Sequence, residues 1–200
     1  MEKVDRRRLL KKTGLASLAA AVAPALTQVQ IASAQTRPVR PPGRPALAHI
    51  IGVGTGTFQA DLDGDDDIDG SYFGFDVRLE RDGAASGYFV CAMAGQFDFL
   101  DLPAMVVYGP VTQGSITADE RGTFGGVGSV DLGNDQVLHE VSYSVAVTGG
   151  GPGEGSLTLT VFGAFDGTPG DTIPGNGNYD LATEAVGAGH ITIDVRHGRP

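Results

Sequence analysis

Six aspartates crowd the ten residues DLDGDDDIDG, positions 61–70. Oxygen ligands at alternate positions are what a hard divalent cation takes. The EF-hand loop draws them from positions 1, 3, 5, 7, 9 and 12, with glycine at 6 and a bidentate glutamate at 12. Counted from Asp61, the first five of these are Asp61, Asp63, Asp65, Asp67 and Asp69, and Ile68 falls at the apolar eighth position. The pattern then fails, because Asp66 stands where the turn needs glycine and Tyr72 where it needs glutamate. An EF-hand is excluded. A looser calcium loop on a β-hairpin survives, beside a plain hydrated hairpin tip. Electrostatics does not demand the metal: same-side aspartates about 7 Å apart repel by roughly 0.6 kcal/mol per pair in water. Physiological salt cuts the four-pair total to roughly 1 kcal/mol.

Asp166, Asp171, Asn176, Asn178 and Asp180 form a second oxygen-rich stretch with the composition of a metal loop. The histidines, His49, His139, His190 and His197, show no metal-ligand spacing. His139 shares the parity of a valine-rich alternating run and is expected to be buried or at a rim. A Gly-x-Ser-x-Gly elbow, a P-loop and a His-Glu-x-x-His pair are all missing. GVGTGTF lacks the last glycine and following helix of a nucleotide loop, and reads as a twisted glycine-rich strand. An acidic chain offers many carboxylate pairs for glycoside hydrolysis, but none is singled out, and the lack of tryptophan weakens sugar stacking. Cys91, the sole cysteine, lies in the apolar run GYFVCAMA and reads as a small core residue, so no intrachain disulfide forms. No catalytic or cofactor-binding residue is assigned.

These residues must be positioned by what lies around them. Residues 1–34 read as a cleaved leader, with a basic head, an apolar middle and Ala32-Ser33-Ala34. Arg6-Arg7-Arg8-Leu9-Leu10-Lys11 resembles the twin-arginine export motif, with Asp5 where serine or threonine is usual. As a helix, Thr13 to Leu26 would reach about 21 Å against a hydrocarbon core of roughly 30 Å, too short for an anchor. The mature form is therefore expected to have no transmembrane segment. Residues 35–45, QTRPVRPPGRP, read as an extended linker. The chain has 14 Lys+Arg against 24 Asp+Glu; the leader takes 6 and 2, leaving 8 and 22. So acidic a mature surface repels nucleic acid and anionic lipid and favours solubility or cation binding.

Residues 46–200 suit one domain. Phe73, Phe75, Val77 and Leu79 alternate with polar or small neighbours. Val137, Val141, Tyr143, Val145 and Val147 mark a second alternating face, Leu157, Leu159 and Val161 a third, Ile191, Ile193 and Val195 a fourth. Glycine punctuates nearly every segment and no long 3.6-residue apolar stripe survives. The fold class is all-β: one antiparallel barrel or sandwich of about 8–10 strands, with a barrel preferred because it has no open edges.

The order GVGTGTF, FGFDVRLERDGAASGYF, GTFGGVGSV, YSVAVTGGGPGEGSLTL and GAGHITI resembles a small glycine-rich β-domain of secreted bacterial proteins, the post-COAP-1 type attached to collagen-like or adhesive chains. The resemblance spans most of residues 50–193 and implies no catalytic activity. Gly149 and Gly155 stand where that family usually has aspartates, so no role of those carboxylates transfers. The function expected is that of a secreted or periplasmic, non-catalytic module that meets an envelope or extracellular partner by its surface, with residues 61–69 either a calcium stiffener or a hydrated tip. The alternatives are a small-ligand-binding barrel and, third, an exported enzyme with an unfamiliar site. The first predicts no deep pocket, the second a dry central cavity, the third a cavity holding carboxylates or histidine of perturbed titration.

Overall fold

The computed structural model describes residues 47–57, 70–94, 105–117, 119, 121–133, 135–168 and 170–196. Among the described residues nine strands follow in chain order: β1 (Ala48–Thr57), β2 (Gly70–Leu79), β3 (Ala84–Ala94), β4 (Met105–Ile116), β5 (Arg121–Asp131), β6 (Val137–Thr148), β7 (Ser156–Phe162), β8 (Asn178–Asp180) and β9 (Glu184–Val195). No helix occurs among the described residues. All pairings are antiparallel in the order β6-β5-β4-β3-β2-β1-β9-β7, and β7 returns to β6 through Tyr143↔Val161, Val145↔Leu159 and Val147↔Leu157. That last ladder closes an eight-stranded barrel and decides between the two architectures expected. The short β8 continues the edge of β7 beyond β9, pairing Val161 with Tyr179.

Alternation fixes which face turns inward. Phe73, Phe75, Val77 and Leu79 are buried while Tyr72 and Asp76 are exposed, and Leu157, Leu159 and Val161 are buried on β7. Apolar side chains therefore fill the lumen, the inverse of the apolar-out pattern of a membrane-spanning barrel. The centre is aromatic: Phe75 meets Phe124 at 5.2 Å between ring centroids, Phe89 meets Tyr143 at 5.3 Å, and Phe89 meets Phe124 at 5.9 Å. Such pairs contribute about 0.5–1.5 kcal/mol each beyond their burial. β1 makes room for them at Gly52, which carries no side chain. A Cβ on Gly52 would stand 2.2 Å from Cζ of Phe75, so GVGTGTF is the strand expected, thinned to admit a ring.

Register shifts interrupt four of the ladders among the described residues, and two of them bear on the side chains that matter here. In β6, Glu140 takes a positive φ of 59°, and the partner register passes from Val141 to His139 across it. The extra residue flips the strand's faces. His139 is consequently exposed and not in the core, one of the two places expected of it. In β9 the register against β1 passes from Ala188 to Val186, skipping Gly187. Ile191 on one side of that shift and Val186 and Glu184 on the other all point inward, although their numbers differ in parity.

Candidate functional site

Two places in the barrel bring chemistry-bearing side chains together, one inside its rim and one on its outer wall. The inner one follows from the β9 bulge, which turns Glu184 into the lumen, where it is 1% exposed. Its carboxyl leans across β1 at Gly56, where a Cβ would sit 1.9 Å from Oε2. On β2, the partner of Gly56 is Ser71, whose hydroxyl donates to Glu184 Oε2 at 2.6 Å. Ser71 is itself buried, on the same face as Phe73 and Phe75. Glu184 Oε1 is the sole buried side-chain oxygen or nitrogen without a partner among the described residues. Desolvation pushes the Glu184 carboxyl up to about 7, against the opposing pull of the Ser71 hydroxyl and backbone.

Cys91 is fully buried and free, as expected of a core residue. Burial first, and the Glu184 carboxyl second, push its thiol well above its ordinary value, while the Ser71 hydroxyl opposes them. A thiol so held is a poor nucleophile. Carboxyl, hydroxyl and thiol thus form a short polar seam in an apolar wall. On that seam's level the register runs Gly56↔Ser71↔Met93↔Met105, with both methionines fully buried.

The outer place lies where β4 and β5 part. Their ladder passes from Tyr108↔Ser129 directly to Gln113↔Gly125. The Tyr143 hydroxyl, arriving from the buried face of β6, donates to the Gly109 and Pro110 carbonyls at 3.1 and 3.0 Å. Backbone groups at the break are thereby satisfied, and burial holds the Tyr143 phenol far above its usual range. Outside, the break leaves an open depression of about 310 Å³ walled by Tyr88, Tyr108, Pro110, Val127, His139 and Glu140. Ser129 Oγ and His139 Nδ1 lie 3.1 Å apart. Partial burial and the neighbouring Tyr108 raise the Tyr88 phenol. Val127, in the wall of the depression, is an exposed apolar side chain. Two tyrosines, a histidine and a carboxylate around a shallow floor can stack and hydrogen-bond a partner group.

Asp61, Asp63, Asp65, Asp67 and Asp69 lie outside the described residues, as does His197. The second oxygen-rich stretch is described, and its oxygens are engaged by the protein. Asp166 accepts from the backbone N–H groups of Gly175 and Gly177 at 2.6 and 2.9 Å. Asp171 accepts from Gly167, Ile173 and Asp180 at 2.8, 3.0 and 3.2 Å, which holds its carboxyl below its usual value, the Gly167 bond foremost. Asn176 donates to Asp180 at 2.6 Å. The loop binds itself, and among the described residues no three His, Cys, Asp or Glu are grouped to hold a metal. His49 reaches Asp76 at 2.7 Å and His190 is exposed on β9.

Comparison with family models, curated proteins and solved structures finds no match for this chain. Among the described residues no helix is long and apolar enough to cross a membrane.

Proposed function

We propose that this protein is an exported, non-catalytic β-barrel module that engages an envelope or extracellular partner through its outer wall, at the depression between Tyr88, Tyr108 and His139. One observation carries the reading: the centre of the lumen is filled by interlocked rings, while the depression of about 310 Å³ opens outward. Aromatic side chains that are rigid and half-exposed are typical anchors of recognition surfaces. The bulge that exposes His139 and places Glu140 at positive φ is the kind of feature that re-aims side chains at functional sites.

Export by the twin-arginine route, with Arg6 and Arg7 as its signal, fits a chain that folds without disulfides before translocation. Changing both to lysine should strand the protein in the cytoplasm; unimpaired export would remove this route. Calcium at Asp61, Asp63, Asp65, Asp67 and Asp69 is part of the same reading, as a stiffener and not as a catalyst. The outer-wall reading is tested by co-sedimentation of the mature chain with envelopes of its source cell. Tyr108→Ser should abolish an association that the parent chain shows. Equal association of the two, or none by the parent, would refute it.

A further inference from the structure

A buried carboxyl is conspicuous in a barrel whose other inward residues are nearly all apolar. Leaving one of its oxygens unpaired costs about 1–3 kcal/mol relative to pairing it, and native interiors rarely accept that cost without a reason. Three residues on three strands combine to keep this one in place: Glu184 turned inward by a bulge, Gly56 without a side chain beneath it, and Ser71 donating to Oε2.

The chemistry of the free oxygen defines what would complete it. Ser71 occupies Oε2 as a donor. In the acid form the proton therefore sits on Oε1, which needs an acceptor; in the carboxylate form Oε1 needs a donor. A hydroxyl group serves both states, an ether or ketone oxygen only the first, and an ammonium only the second. Water would also serve, and a lone buried water on Oε1 is the competing occupant. Among the described residues, Oε1 is the single unpaired side-chain atom of this kind. An alcohol can satisfy Oε1 with its hydroxyl and lay its alkyl part on apolar wall. The wall at this level includes Met93 and Met105, one residue inside the ends of β3 and at the start of β4. Methionine side chains repack around ligands more readily than branched or aromatic ones.

We propose that Glu184 and Ser71 anchor a small apolar alcohol at this rim of the barrel, between β9, β2 and the Met93–Met105 pair. This binding site is independent of the outer-wall reading, and either can fail without the other.

The probe is 1-hexanol, with hexyl methyl ether as the control that lacks a donor, titrated at pH 8 into the mature chain carrying labelled methionine methyl groups. At that pH the carboxylate form dominates and only a donor is accepted. The expected result is a saturable shift of the Met93 and Met105 methyl resonances with hexanol, and at least tenfold weaker binding of the ether. Glu184→Leu should lose the hexanol response. Should that variant fail to fold, Glu184→Gln gives a second reading: its amide can donate to either oxygen, so the preference for alcohol over ether should collapse. No saturable response of the parent chain would mean that the rim holds at most a water, and would overturn the proposal. Equal binding of the ether by the parent chain, or an unaltered preference in Glu184→Gln, would overturn it as well.

Discussion

Replacing Glu184 by glutamine removes one ionisation from the interior and keeps the shape, and its effect can be worked from the rim geometry. The carboxyl titrates near 4.5 when unfolded and is pushed up to about 7 in the barrel by burial. At about 1.4 kcal/mol per pH unit, the folded chain disfavours the ionised form by about 3 kcal/mol. The sign follows from proton counting. Between these two values the folded state holds a proton that the unfolded state has lost, so raising the pH destabilises the fold. The group's favourable contribution is complete below pH 4.5 and is lost as pH rises through about 7. Glutamine does not titrate, and its carbonyl can still accept from Ser71. Other carboxylates titrate alike in both proteins, so the difference between parent and variant isolates Glu184. Urea unfolding at pH 5.5 and 8.5 should show that difference moving by about 2 kcal/mol in favour of Glu184→Gln at the higher pH. A difference that stays constant with pH would refute the claim that this carboxyl is desolvated in the native barrel.

Tyr143→Phe strips the donor from the Gly109 and Pro110 carbonyls and should cost about 1–3 kcal/mol in urea unfolding; a neutral outcome would mean that water reaches the β4–β5 break. Gly126→Ala should be more damaging than most glycine changes, because its Cβ would fall 2.1 Å from the Pro110 carbonyl oxygen and neither backbone can yield freely. A loss of about 1–3 kcal/mol, read as a lower melting temperature, is expected. Calorimetry of the mature chain with and without chelator tests the aspartate loop: calcium at ten times its dissociation constant should stabilise by about 1.4 kcal/mol. An unmoved transition at millimolar calcium rejects that site.

The architecture was largely legible in the sequence because one-sided burial writes itself as a period of two. Phe73 to Leu79 and Leu157 to Val161 obey that period and lie as the alternation predicts. Closure was favoured by the need to remove open edges but not fixed by alternation, since the β6–β7 ladder is set by tertiary pairing and a sandwich would satisfy the same period. The bulges defeated the parity argument where it mattered most. Counting back from Ile191 by twos places Glu184 outside the barrel; skipping Gly187 places it inside. The same arithmetic allowed His139 a place in the core, and the extra residue at Glu140 turns it outward. Ser71 did share the parity of Phe73 and Phe75, so a hydroxyl on an apolar face was the one available hint of a polar rim. The oxygen-rich composition of residues 166–180 left a metal as the lesser alternative, and backbone N–H groups presented by glycine-rich turns account for Asp166 and Asp171.

Everything proposed for the outer wall and the rim depends on the sheet meeting itself at β6 and β7. Nuclear Overhauser measurements across that seam, joined to amide exchange, test this most directly. The closed barrel predicts cross-strand contacts linking Tyr143 with Val161, Val145 with Leu159 and Val147 with Leu157, and slow exchange along both strands. Missing contacts, with β6 and β7 amides exchanging as freely as an open sheet edge, would contradict it.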